Sequence, residues 1–355
     1  MPILDKANSK QIEKYNKYIQ TYDGASAMQD LNWANVKSSW IQEAAYIEEN
    51  DNIIAAMTIL LEKVPKINSY FMYVPRGPVC DINNIELVKK LVKEANKIAK
   101  KYNAFVLKFD PGVIYDEKIE KLYNENGFKV IGKNANKDEL IQPRYNMILN
   151  LKNETEDSLF KRFSEKTRYN IRLSQRKGIE VRYSRDAKDL RSFYELYKIT
   201  TIRDEIGCRA YEYFENLINA YDENQARIYI ASYNGQDLSA AIALNYGGKM
   251  FYIYGASSNE KRNYMPNYLM QWNMIKWALE TRCTNYDFGG VLILNESNGL
   301  YRFKIGFCKE EGPTEFIGEI DKVYKPFIYF VYSKCLPIFK KVKRHFRNNK
   351  IKKGW

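Results

Sequence analysis

Residues 250–307 read MFYIYGASSNEKRNYMPNYLMQWNMIKWALETRCTNYDFGGVLILNESNGLYRFKIGF. Phe251–Tyr254 is aromatic and β-branched, which predicts a strand, and the polar run Gly255–Asn263 predicts the turn that ends it. Pro266 predicts the first turn of a helix, where its missing N–H costs nothing. Leu269, Trp272, Met274, Ile275 and Leu279 recur at helical spacing, so one face of that helix packs on a sheet. A short strand, Tyr286–Phe288, follows and is predicted to break at Gly289-Gly290. Beyond it, Leu300–Phe307 sets Arg302 and Lys304 among aromatics, in a loop past a strand end, where open sheets bind ligands.

The same series occurs earlier in the chain. YFMYVPRGP (70–78) matches MFYIYGASS (250–258), the helix predicted over Asn84–Lys101 matches the Pro266 helix, and AFVLKFDP (104–111) matches NYDFGGV (285–291). Each copy follows an antiparallel pair, one within Glu43–Leu61 and one within Ile228–Tyr246, where Asn234-Gly235 is a hairpin turn. Between the copies, Tyr145–Leu151 is predicted to close the first half. Asp157 is predicted to cap one long basic helix reaching Lys177. Duplication of this kind implies two domains, 1–150 joined by 319–355, and 151–318. The fold class is α/β (α+β), and an antiparallel sheet feeding a strand–helix–strand crossover resembles the GNAT fold. In GNAT enzymes a glycine-rich loop offers its N–H groups to the coenzyme A pyrophosphate. Here KRNYMPN has no glycine and PRGPVCDINN offers only Gly77. A coenzyme A-dependent N-acyltransferase is therefore the weaker alternative.

The 355 residues carry a net charge of +13, unevenly spread. Eleven Lys or Arg and no acid fall between Lys322 and Trp355, and without them 45 basic residues face 43 acidic ones. A second basic cluster runs from Lys161 to Arg191. Both suit polyanions or an anionic membrane surface, and a noncatalytic polyanion-binding protein would follow from the tail alone. The stretch Pro326–Lys353 is also amphipathic, apolar through Phe327, Phe330, Ile338 and Phe339, and too short in its apolar run to span a bilayer. Five cysteines without a CxxC pair predict free thiols in a reducing cytosol, and MPILDKANSK lacks the apolar core of an export signal. The single histidine, His345, lies in the tail, so histidine-based triads and histidine metal sites have no centre. No metal or cofactor is expected.

SEKTRYNIRLSQRKGIEV, GCRAYEYF, YIYGASSNEKRNYMPNYLMQWNMIKWA, YDFGGV, LYRFKIGF and FIGEID, in this order, resemble the FemABX peptidoglycan aminoacyltransferases over about Trp33 to Asp321. The resemblance implies two GNAT-like domains in tandem. It also implies transfer of an amino acid from aminoacyl-tRNA to the side-chain amine of the third stem residue of lipid II or UDP-MurNAc-pentapeptide. Lys304 and Phe303 match the family's FK pair, with Lys304 stabilising the ester's developing oxyanion or holding the terminal tRNA phosphate. Lys37, Arg209, Tyr213 and Tyr254 match residues on the precursor's pyrophosphate and peptide, and Asp110 and Glu319 match acids lining its cleft. Larger members insert a helical hairpin in the second domain, whereas only Phe214–Ala226 stands there. The stripe Arg168, Arg172 and Arg176, together with the tail, is the expected tRNA contact instead; the alternative for the tail is a peripheral contact to the inner face of the membrane.

Overall fold

The computed structural model describes residues 3–133 and 140–335. Its contacts divide the chain into two units, 3–144 with 315–335, and 145–314.

In the first unit, α1 (Ser9–Thr21) starts at Asn8, whose side chain accepts from the Gln11 N–H, and buries Tyr15 and Ile19. A single turn, α2 (Trp33–Val36), follows. β1 (Ile41–Glu49), β2 (Asn52–Lys63) and β3 (Tyr70–Val74) form an antiparallel meander. α3 (Ile85–Lys101) then crosses over to β4 (Val106–Phe109), which runs parallel to β3. Val88, Leu91, Val92, Ala95, Ile98 and Ala99 make one apolar face of α3, Asn84 caps it, and Lys100 and Lys101 suit the negative end of its dipole. α4 (Glu117–Glu125) is capped by Asp116 and leads through Gly127, at φ +76°, into β5 (Lys129–Ile131).

The second unit opens with β6 (Tyr145–Asn150). The sequence pattern places this strand in the first half, but alternation fixes only that a strand forms, not which sheet takes it. The predicted long helix is two helices. α5 (Glu156–Arg162) is capped by Thr155 in a reciprocal box with Ser158, and α6 (Glu165–Arg176) by Ser164. Phe163, at ψ 151°, extends the chain between them, so Asp157 lies in a first turn and is not the cap. β7 (Glu180–Ser184), α7 (Ala187–Arg203), α8 (Tyr211–Asn219), β8 (Ala226–Tyr233) and β9 (Gln236–Tyr246) follow. Asn234 and Gly235 both take positive φ, 49° and 77°, as the tight hairpin turn requires. Then come β10 (Lys249–Ser257), α9 (Pro266–Glu280), β11 (Asn285–Val291), α10 (Gly299–Ile305) and β12 (Pro313–Glu315). The chain returns to the first sheet with β13 (Glu319–Val323), between β4 and β5.

The strand orders are β1-β2-β3-β4-β13-β5 and β12-β6-β11-β10-β9-β8-β7. Each sheet has one parallel pair joined by a crossover helix, β3–α3–β4 and β10–α9–β11, as the duplicated sequence predicts. The pairs end differently. Phe71–Val74 lies beside Val106–Phe109 along the whole of β4, whereas β10 and β11 pair only over residues 249–251 and 285–287. Beyond that point β10 stays with β9 and β11 with β6.

After β13 a helical segment, 326–335, lays Ile328, Tyr329 and Tyr332 on Phe71, Tyr73, Phe105 and Val106. It leaves Phe327 (79% exposed), Phe330 and Val331 facing outward. The remainder of the expected amphipathic tail, with Ile338, Phe339 and His345, lies outside the described residues. Among the described residues no helix is long and apolar enough to cross a membrane and no acid, thiol or imidazole cluster suits a metal ion. All five cysteines are free.

Candidate functional site

Lys304 sits on a helix, not in a loop. Asn298 caps α10 by accepting from the N–H groups of Leu300 and Tyr301, and this short helix turns the Lys304 side chain back onto β11. The residue is 4% exposed, and its Nζ donates to the Gly290 carbonyl at 2.9 Å. Burial pulls its pKa down to about 8, against the opposing pull of the Asp287 carboxylate. Phe303 stands beside it, 4.9 Å from the Tyr268 ring and 5.5 Å from Phe307, as part of an aromatic wall. Gly306 allows α6 to approach: a β-carbon there would meet Thr167 Oγ1 at 2.3 Å, and the Gly306 carbonyl accepts from Ser164 N.

The β11 backbone around the lysine is bulged. β11 does not stop at Gly289-Gly290, and its register with β6 shifts between Asp287 and Gly290. Gly289, at φ +75°, makes that shift possible. Asp287 Oδ1 accepts from Gly289 N at 2.7 Å, and Asn146 Nδ2 reaches both carboxylate oxygens, at 3.1 and 3.0 Å. Asp287 and Asn146 are absent from the sequence-derived set. The acid-before-Gly-Gly pattern, a turn signature inside a strand, was the available signal.

A second constellation in the same unit gathers Arg209, Tyr213 and Tyr254. Arg209 Nε donates to the Tyr254 hydroxyl at 2.7 Å, which donates to Tyr213 Oη at 3.1 Å, and the guanidinium lies 4.5 Å from the Tyr213 ring centre. The Tyr194 hydroxyl donates to the Arg209 carbonyl. Burial works against the Arg209 charge, but the tyrosine hydroxyls around it win and hold its pKa above the ordinary value. Arg209 lies in the coil ahead of the Ala210 cap and does not open α8, so it reaches Tyr213 from the preceding loop and not along a helix face. Tyr254 is two residues from Tyr252, and a bulge between them lets Tyr252 join the α9-side core while Tyr254 packs on Tyr197 and Phe214.

In the first unit Lys37 ends α2, half-buried, with Nζ 6.0 Å from the Trp40 ring centre. Asp110 is 2% exposed and closes the strand ends: its Oδ1 accepts from Arg76 N at 2.6 Å and its Oδ2 from the Tyr73 hydroxyl at 2.8 Å. Burial pushes Asp110 up to about 7, opposed by the Arg76 charge. Glu319 is buried too, paired with Lys108 and accepting from Ile141 N. Lys108 bridges Glu319 and Asp321, the latter at 2.8 Å, and Tyr329 donates to Asp321 at 2.7 Å.

The arginine stripe divides. Arg168 Nη1 donates to the Lys161 and Phe163 carbonyls and so finishes α5. Arg172 and Arg176 are exposed, 5.2 Å from the Phe160 ring centre and 5.8 Å from the ring centre of Tyr169, itself 54% exposed. A groove of about 610 Å³ along α7, lined by Lys188, Arg191, Glu195 and Asp237, contains none of these residues.

The FemAB family model matches residues 11–246 and 233–336. The chain belongs to the FemAB family. It is 36% identical over 334 residues to the UDP-N-acetylmuramoylpentapeptide-lysine N(6)-alanyltransferase of Weissella viridescens, covering 93% of this chain and 98% of that one. It is 29% identical to the lipid II:glycine glycyltransferase of Staphylococcus epidermidis, over 93% and 96%. Among solved structures, FemX superposes with a TM-score of 0.82 at 26% identity, covering 94% of this chain and all of that one. A tandem GNAT protein of clavulanic acid biosynthesis shares the fold, at TM-score 0.52 and 8% identity over 90% and 97% of the two chains. The fold is accordingly mixed α/β of the tandem GNAT kind.

Proposed function

We propose that this FemAB-family chain is an aminoacyltransferase that moves an amino acid from aminoacyl-tRNA to the side-chain amine of the third stem residue of a peptidoglycan precursor. Its named relatives act on the lysine of UDP-N-acetylmuramoylpentapeptide and on lipid II. The observation that carries the reading is the Lys304 ammonium, buried at the bulge where the parallel strands part. The acceptor amine attacks the ester carbonyl carbon, and its electron pair forms the new C–N bond as charge gathers on the carbonyl oxygen. Collapse breaks the ester C–O bond, and the ribose oxygen leaves with the proton given up by the amine. An ammonium fixed in a dry site favours the charged transition state over the neutral ester. Phe303 walls that site. The reaction needs no cofactor.

Arg209, with Tyr213 and Tyr254, offers a cation and two hydroxyls within the second unit for the precursor's pyrophosphate. Lys37 of the first unit is a separate cation suited to the precursor's anionic groups. Asp110 and Glu319, which hold partners of their own unit, shape the strand ends of the first unit for the acceptor peptide. Arg172 and Arg176, with Tyr169 as a stacking surface, take tRNA, and Arg168 supports them by finishing α5. Phe327, Phe330 and Val331, close in sequence to Lys325 and followed by a basic stretch, rest on the anionic inner face of the membrane while the enzyme works in the cytoplasm.

The test is direct. The protein is mixed with a panel of charged tRNAs and with either UDP-MurNAc-pentapeptide or lipid II, and the product is weighed by mass spectrometry. The mass increment identifies both the amino acid and the acceptor. Absence of any gain with every charged tRNA would overturn the reading, and acetylation by acetyl-CoA would replace it with the coenzyme-dependent alternative.

A further inference from the structure

We propose that Asp287 and Asn146 are positioning residues for Lys304: together they lock the β11 bulge whose Gly290 carbonyl holds the ammonium, and the Asp287 carboxylate acts on that ammonium through space. The inference rests on the catalytic reading of Lys304.

The reason lies in the strand geometry. Phe251–Asp287 is the last parallel pair, so the β11 backbone loses its β10 partner just where the lysine arrives. A strand released on one side would fray unless its polar groups found other partners. Asp287 provides one by folding its carboxylate back onto the N–H of Gly289. Asn146, from β6 on the other side, holds the carboxylate with one amide nitrogen over both oxygens. Asn146 is 4% exposed and its Oδ1 has no hydrogen-bond partner, so burying this amide is costly except for what it does to Asp287. Gly289 completes the lock, because its φ of +75° strains any L side chain.

The electrostatics follow the same arrangement. The titratable groups acting on Lys304 are Asp287 on β11 and Cys308 after α10. Burial raises the Cys308 thiol, which keeps it neutral. From α6, Ser164 and Thr167 reach Gly306 and carry no charge. Arg302 on α10 is exposed. Asp287 is therefore the charged group that opposes the pull of burial on the ammonium.

Asp287→Asn tests this. It keeps an acceptor oxygen for Gly289 N and removes the charge. The readouts are the pH profile of kcat/KM with both substrates and a 15N-lysine NMR titration of Lys304. The falling limb and the lysine titration should both move down by roughly one pH unit, with KM for the precursor within about twofold of wild type. In a Lys304→Met background the same change should leave residual activity unaltered. An unmoved limb, or an equal loss in both backgrounds, would overturn the inference. Should Asp287→Asn fail to fold, Asn146→Ala carries the test: kcat must fall with KM unchanged, and a wild-type kcat overturns the inference. If Lys304→Met is itself fully active, the catalytic reading fails. If it is inactive while Asp287→Asn is unshifted, only the positioning role fails.

Discussion

Lys108 on β4 and Lys304 beside β11 are both buried next to the parallel pair of their unit, yet burial has opposite outcomes for them. Lys108 meets two carboxylates, Glu319 and Asp321, whose attraction outweighs its desolvation and raises its pKa. Lys304 donates to a carbonyl and feels one carboxylate only through space, since that carboxylate is held by other donors, so desolvation dominates and the pKa falls to about 8. The backbone differs in the same sense. In the first unit Asp110 ties the two strand ends together, and in the second Asp287 ties its own strand into a bulge while its neighbour runs on. The saturated lysine is fit for holding a sheet together. The undersaturated one is fit for meeting a charge that forms only during a reaction.

The comparison predicts different losses. Lys108→Met should have the largest effect, leaving two buried carboxylates unpaired at a cost of about 3–5 kcal/mol, measured by urea denaturation. A loss of less than about 1 kcal/mol would mean that the first unit's triad is not a structural device. Lys304→Met should leave the fold intact and cut kcat by about 10²–10³-fold. Because the protonated form is the useful one, wild-type kcat/KM should rise with pH as the acceptor amine deprotonates and fall again above about 8. A profile still climbing at pH 10 would remove the charged-lysine mechanism.

Gly255→Ala comes next. A β-carbon there would lie 1.6 Å from the Tyr252 hydroxyl, so the ring must shift, at about 1–3 kcal/mol; calorimetric melting reads the cost. The smallest effect belongs to Arg172→Glu with Arg176→Glu, which should barely change stability while lowering the salt dependence of tRNA binding. An unchanged slope would place the tRNA elsewhere.

Much of this was legible in the sequence. The duplicated strand–helix–strand could be read because α3 and its flanking strands carry their own caps and periodicity, and the Asn234-Gly235 turn declares itself. The closeness of Arg209 and Tyr213 could not be read from helical spacing, because Arg209 lies in the coil ahead of the Ala210 cap and only Tyr213 is on α8. The break at Phe163 could not, since Leu159, Phe163 and Ile171 keep an apolar rhythm across it and only Ser164 marks a new start. Gly289-Gly290 reads as a terminator because positive φ inside a continuing strand depends on a tertiary partner, here Asp287. Nor does any local pattern separate Lys108 from Lys304. Their difference lies in residues far away in sequence, Glu319 and Asp321 for one and Gly290 for the other.

The segment 326–335 gives the tail two separable parts. Its Tyr329 hydroxyl completes the shell around Asp321, and its Ile328, Tyr329 and Tyr332 cover Phe71 and Phe105. Proteolysis ahead of it would bare the sheet and shorten the life of the first unit. A cut just after Cys335 would spare these contacts and still remove eight Lys or Arg residues. The eight cations beyond Cys335 are thus separable in sequence from the aromatic contacts that cover the first sheet.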